Sequence, residues 1–181
     1  MKVLAILLAL RGGAIAEEPA AVPPPRGPAW RGYLAAGVGS TAAIGPTVTD
    51  SFLFLLAPQV SLRVSRSVEY VIEGHFSRYL SPGGYFVGIV PVGARVSTRE
   101  ASRRYYFAAG AGLGWSDLER LPEIDRRFNF LLEGGFGVLW KPGRGAERFL
   151  EVRLVHLSNG GAAGRNLGLN SIALVGGWRV R

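Results

Sequence analysis

From Trp30 onward apolar and polar residues trade places at every second position, until a cluster of turn-forming residues interrupts them and the alternation starts again. Eight such segments can be marked, near 30–41, 52–64, 67–79, 85–97, 104–116, 128–141, 147–158 and 169–180. A period of two is the signature of a β-strand, whose successive side chains leave opposite faces. No segment carries a helical period, and Gly and Pro are scattered throughout, so the pattern predicts an all-β chain.

Sorting each segment by parity separates two chemically distinct faces. Val68, Tyr70, Ile72 and Phe76 share one face, and Glu69, Glu73, His75 and Ser77 share the other. Phe52, Phe54, Leu56, Val60, Leu62 and Val64 oppose Gln59, Ser61, Arg63 and Ser65. Phe128, Phe130, Leu132, Phe136, Val138 and Trp140 oppose Asn129, Glu133 and Lys141. Phe86, Val90, Val92, Ala94 and Val96 fall away from Arg95, and Leu150, Val152 and Leu154 fall away from Glu151 and Arg153. One face is an apolar band, while the other collects Glu and Arg among Gly and Ser.

Strands of roughly ten residues suit a tilted membrane crossing better than the shorter strands usual in globular sheets. A narrow barrel whose lumen is packed with paired charges would place the Glu/Arg face inside. The prediction is an eight-stranded antiparallel transmembrane β-barrel of the outer-membrane type, over residues 30–181. A soluble lipocalin-like barrel is the other solution to the same pattern, with the apolar face inward around a ligand. With both barrel ends in the periplasm, the turns at 65–66, 97–103 and 142–146 face that side. The segments 42–51, 80–84, 117–127 and 159–168 then face outward.

Composition agrees with this and narrows the partners. The chain is 48% hydrophobic, yet no apolar run reaches the roughly 18 residues of a spanning helix. Cysteine is absent, which removes disulfide frameworks and thiolate metal sites. The net charge of +8 favours an anionic partner such as a lipid or phosphorylated glycolipid. The basic residues are dispersed and match no nucleic-acid motif, so no nucleic acid is expected as a partner. Residues 1–16 read as a signal peptide: a Lys2 start, an apolar stretch from Val3 to Leu10 and a small-x-small site at 14–16. Residues 17–29 are a Pro-rich tether.

One strand ends against its own pattern. The apolar face of segment 147–158 finishes with His156 and Ser158. At i and i+2 these side chains leave the same face, roughly 6–7 Å apart at their Cα atoms. A rotated imidazole bridges that gap to the hydroxyl, the nucleophile–base pairing of acyl transfer. Ionisable groups on a lipid-facing wall are costly and hence functional candidates. Asn170 falls on the same wall at the outer end of the next strand, where an amide can accept the imidazole N–H and fix its tautomer. Asn159 and Asn166, with the loop glycines, supply candidate oxyanion donors.

At these residues the sequence resembles the outer-membrane lipid A 3-O-deacylases of the PagL type, acyloxyacyl-cleaving hydrolases. The shared pattern is Arg-x-x-His-x-Ser-Asn, a short loop, then Asn-x-Gly-x-Glu or Asn, here Arg153, His156, Ser158, Asn159, Asn166, Gly168 and Asn170. The stretch RRFNFLLEGGFGVLWKP at 126–142 also looks like the family's penultimate hairpin. The resemblance implies catalytic Ser158 as nucleophile, His156 as base, Asn170 as third member and Asn159 as critical for activity. It implies lipid A (lipopolysaccharide) as substrate, hydrolysed at the 3-linked hydroxyacyl ester in the outer leaflet. No metal or organic cofactor is implied. The better-known pattern has a carboxylate at the position of Asn170, so a non-catalytic structural or adhesive barrel stays open as the alternative. Whether the barrel forms a homodimer is also left open.

The remaining candidates have simpler readings. His75 beside Glu73 could serve a metal or a reaction, but a lumenal charge network accounts for it. Trp30, Trp115, Trp140 and Trp178 read as interfacial anchors. Arg120 to Arg127 is either a contact for lipid A phosphates or ordinary loop charge.

Overall fold

The structure is a computed structural model, and it describes residues 30–98, 102–162, 164 and 166–180. The signal and tether readings at 1–29 lie outside the described residues. Nine strand segments follow one another: β1 (Trp30–Thr41), β2 (Phe52–Leu56), β3 (Gln59–Arg63), β4 (Val68–Tyr79), β5 (Gly84–Ser97), β6 (Arg103–Ser116), β7 (Phe128–Trp140), β8 (Arg148–Ser158) and β9 (Leu169–Val180). Each pairs antiparallel with its neighbours, and β1 closes the sheet against β9 from Gly32↔Val180 to Thr41↔Ser171. Closure removes every sheet edge, which a membrane demands because unpaired backbone groups have no water there.

The barrel has eight staves because β2 and β3 together form one. Both pair with β1 on one side and β4 on the other. The segment expected at 52–64 is therefore interrupted, at Ala57-Pro58. Proline has no N–H for the ladder, so continuous pairing fails there. Flanking bonds mend the gap, with Ala57 N–H donating to Ala35 O at 2.8 Å and Gly74 N–H to Pro58 O at 2.9 Å.

A second departure reverses two face assignments. Phe86 and Val90, expected beside Val92, Ala94 and Val96 on the apolar outer face, are buried in the lumen, while those three face outward. The register shifts against both neighbours, between Ile89 and Val92 on β5 and opposite Val71/Glu73 on β4. One extra residue sits in β5 around Pro91, a β-bulge, and parity inverts across it.

Elsewhere the parity holds and its sign is settled. The apolar band faces out, with Phe52 70% and Phe136 61% exposed, whereas Glu69, Glu73, Arg95, Glu151 and Arg153 are buried inside. The lipocalin-like alternative, with apolar residues inward, is excluded by this. The lumen is filled rather than open. Arg153 bonds Glu73 through Nη1 (2.7 and 2.9 Å) and Glu151 through Nε (2.6 Å). Gln59 links Glu73 (2.7 Å) to Arg95 (2.9 Å), and the Arg95 guanidinium lies 4.8 Å from the Tyr106 ring centroid. Buried charges survive only when paired; Arg153 and Arg95 each face a carboxylate, although Arg95 Nε finds no hydrogen-bond partner among the described residues.

Candidate active site

The long segments gather at one barrel end, and they brace one another there. Asn159 Nδ2 donates to Asp125 Oδ1 at 2.8 Å, and Ile124 bridges Asn166. Glu123 accepts from Val48 N, Thr49 N and the Thr49 hydroxyl, each at 2.7 Å. Burial would raise the Glu123 carboxyl, but these three donors outweigh it and hold it below the usual carboxylate range. Segments 42–51, 117–127 and 159–168 thus form one cap over the outer ends of β7, β8 and β9.

His156 and Ser158 leave the outward face of β8 beneath that cap. Their cross-strand partners on β7 are Leu132 and Phe130, exposed apolar residues of the lipid-facing band. His156 pairs across to Asn170 on β9. The pairing becomes a side-chain contact: His156 Nδ1 lies 2.8 Å from Asn170 Oδ1. Asn170 cannot turn its amide around, because Nδ2 donates to Ile44 O (2.8 Å) and Thr47 Oγ1 (3.0 Å). With Oδ1 presented to the ring, Nδ1 must carry the proton and Nε2 keeps its lone pair. A carboxylate at 170 could make neither donor bond, so segment 42–51 is shaped for an amide.

Thr47 is the hub of this arrangement. It is buried, donates its hydroxyl to Gly168 O at 3.1 Å, and accepts from both Asn170 N and Asn170 Nδ2 at 3.0 Å. Gly168 packs against the imidazole so closely that a methyl group added there would lie 2.4 Å from His156 Cε1. Its φ of +76° is a second reason for glycine at that place.

The other residues singled out in the sequence take definite positions. Asn159 is buried, receives Gly161 N–H on Oδ1 at 2.8 Å, and donates its own N–H to Asn166 Oδ1 at 3.1 Å. Orienting Asn166 in this way turns its amide protons away from Asn159. Ser158 makes no side-chain hydrogen bond among the described residues, is half-buried, and ends β8 opposite Phe130. Arg153 lies apart from the site, in the lumen. Thr47, Ile44, Glu123 and Asp125 were not anticipated. Thr47 is 123 positions from Asn170, and no local pattern marks it.

One cluster has the make-up of a metal centre. Glu73, His75 and Glu133 each offer a ligand atom within 4.8 Å of the others. The Arg153 guanidinium already stands among them, 2.7 Å from Glu73 and 3.3 Å from Glu133. It supplies the positive charge a cation would bring, and the cluster reads as part of the lumenal network. His75 bonds Ser77 through Nε2 at 3.3 Å, with Nδ1 3.5 Å from Glu73.

Comparison with known proteins matches these observations. A family model described as lipid A 3-O-deacylase (PagL) matches residues 59–179, the greater part of the barrel. The solved structure of the outer membrane enzyme PagL is similar at a TM-score of 0.65 and 19% identity, covering 80% of this chain and 97% of that one. That of Neisserial surface protein A (NspA) is similar at 0.57 and 15%, covering 85% and 98%. At such identities the two structures speak for the fold. None of the curated proteins matches the chain.

Proposed function

The chain belongs to the lipid A 3-O-deacylase (PagL) family, and on that premise we propose that it hydrolyses the 3-linked hydroxyacyl ester of lipid A with Ser158, His156 and Asn170. It is an eight-stranded barrel of the outer membrane. The observation that carries the residue assignment is the 2.8 Å contact of His156 Nδ1 with an Asn170 amide locked by Ile44 and Thr47. That contact puts the proton on Nδ1 and leaves Nε2 with its lone pair, the base this reading assigns to Ser158.

The chemistry follows from that tautomer. Nε2 takes the Ser158 proton as Oγ attacks the ester carbonyl carbon, giving a tetrahedral oxyanion and an imidazolium. Asn170 stabilises the imidazolium through its amide dipole, a weaker aid than a full negative charge. The oxyanion is met by an N–H donor, for which the oriented Asn166 amide is the candidate, since the Asn159 and Gly161 N–H groups are spent inside the loop. The bond from the carbonyl carbon to the 3-oxygen of lipid A breaks, and that oxygen leaves with the proton held on Nε2. Water then attacks the Ser158 ester by the same route in reverse, releasing a 3-hydroxy fatty acid. Lateral access from the leaflet suits this layout, because Phe130 and Leu132 flank the site with apolar surface.

Mass spectrometry of lipid A from cells with and without the protein tests the reading. The expected result is loss of one 3-hydroxyacyl group, abolished in Ser158→Ala and in His156→Ala. An unchanged lipid A profile with the folded wild-type barrel in the membrane sinks it and favours the non-catalytic barrel.

A further inference from the structure

At the opposite end of the barrel the same wall carries a second ordered set of side chains. Arg103 of β6 is paired with Trp140 of β7, Trp140 with Arg148 of β8, and Arg148 with Trp178 of β9. All four share the parity of the lipid-facing band: Arg103 precedes exposed Tyr105 and Phe107, and Arg148 precedes exposed Leu150 and Val152. Four adjacent strands therefore present Arg, Trp, Arg, Trp side by side at one level. Neither arginine makes an ion pair or a side-chain hydrogen bond among the described residues, and both are exposed. This is unlike Arg95, Arg104 and Arg153, which are committed to carboxylates or Gln59 in the lumen.

We propose that this row is a binding site for the phosphodiester headgroup of an anionic phospholipid in the periplasmic leaflet. Depth supports it: Arg103, Arg148, Trp140 and Trp178 lie at the strand ends on the side of the 141–147 turn, opposite the long segments that form the cap. Neighbouring strands are about 4.8 Å apart, which sets the two guanidinium-bearing positions roughly 10 Å apart across Trp140. A guanidinium offers a planar fork matched to phosphate oxygens. Indoles settle at the glycerol and carbonyl level, where one ring face meets acyl chain and the N–H meets oxygen. Charge selects among lipids: Lys141 and Arg144 are exposed in the adjoining turn, and its one acid, Glu147, is engaged by Arg104 at 2.8 Å and by Tyr33. A headgroup with net negative charge gains from this field, whereas a zwitterionic one carries an ammonium that loses from it.

Fluorescence quenching by brominated lipids tests the site in vesicles. The full-length barrel would carry Trp30→Phe and Trp115→Phe, so that Trp140 and Trp178 report. At low salt, dibrominated phosphatidylglycerol should quench with an apparent preference of about tenfold over dibrominated phosphatidylcholine, falling with added salt. In Arg103→Gln/Arg148→Gln the preference should vanish, while heat-modifiable gel mobility reports that the barrel is still folded. Equal quenching by the two lipids, as expected of ordinary boundary lipid, overturns the proposal. So does weak quenching by both, as expected if a second copy covers the wall. A preference that survives in the folded double variant overturns it as well. If that variant fails to fold, the salt dependence of the parent decides: a preference unmoved by salt sinks the site.

Discussion

Gly168 shows how narrowly single residues define the site. A methyl group there would intrude 2.4 Å from His156 Cε1, on a backbone whose φ of +76° already disfavours any side chain. Gly168→Ala should therefore rotate the imidazole off Asn170 while leaving the strands intact. The expected outcome is loss of lipid A deacylation by about a hundredfold, as misplacing a catalytic group commonly causes. A time course of lipid A mass spectra measures it, with heat-modifiable mobility as the check on folding. Thr47 makes the complementary case, since its hydroxyl serves Gly168 and Asn170 at once. Thr47→Val keeps the shape and removes those bonds, each worth about 1 kcal/mol net. Activity should drop by about tenfold or more in Thr47→Val and recover in Thr47→Ser, which restores the hydroxyl. Neither residue's role could be read from its neighbours in the chain, because both act across strands.

Among the elements, the cap of segments 42–51, 117–127 and 159–168 is where acid should act. Glu123 is held below the usual carboxylate range, so it is charged and bound to Thr49 and Val48 across ordinary pH. A depressed carboxylate contributes stability that is complete above its unfolded value and is lost as pH falls through the lowered folded value. Amide proton shifts of Val48 and Thr49, followed by NMR in micelles, should move with a midpoint below the ordinary glutamate value of about 4.3. A midpoint at or above that value would contradict the assigned bonds. β5 carries the lesson for the strands. Its alternation reads cleanly on paper, yet the bulge at Pro91 turns Phe86 and Val90 into the lumen. A proline inside a strand was the visible warning, and which way the parity would turn depended on both neighbouring strands.

At the scale of the molecule, a plugged lumen decides both stability and transport. The space left among Gln59, Glu73, Arg95, Glu133 and Arg153 is ≈ 20 Å³, room for about one water. Planar-bilayer recordings should therefore show no ion conductance. Arg153→Leu would strand Glu73 and Glu151 as buried anions, with half-buried Glu133 beside them, without their shared cation. Such an unpaired charge costs about 3–5 kcal/mol, which urea unfolding in detergent would register. Adding Glu73→Gln should recover part of the loss, because one of the stranded charges is gone.

The division between sequence and structure follows the range of the forces concerned. Alternation is written residue by residue, so the strands, their two faces outside the first half of β5, and the odd placement of His156 and Ser158 were legible in the chain. Spacing along two strands was enough to expect Asn170 beside His156. What alternation cannot encode is which face turns inward, since a lipocalin-like barrel has the same pattern inverted; the filled Glu/Arg lumen decided that. Nor can it encode the meeting of Thr47, Gly168 and Asn170, or of Asp125 and Asn159, because loops have no period and their contacts form only after the strands have closed. The chain alone determined a barrel wall and the residues on it. Only the closed barrel, by bringing distant loops over one strand end, determined how the imidazole is held.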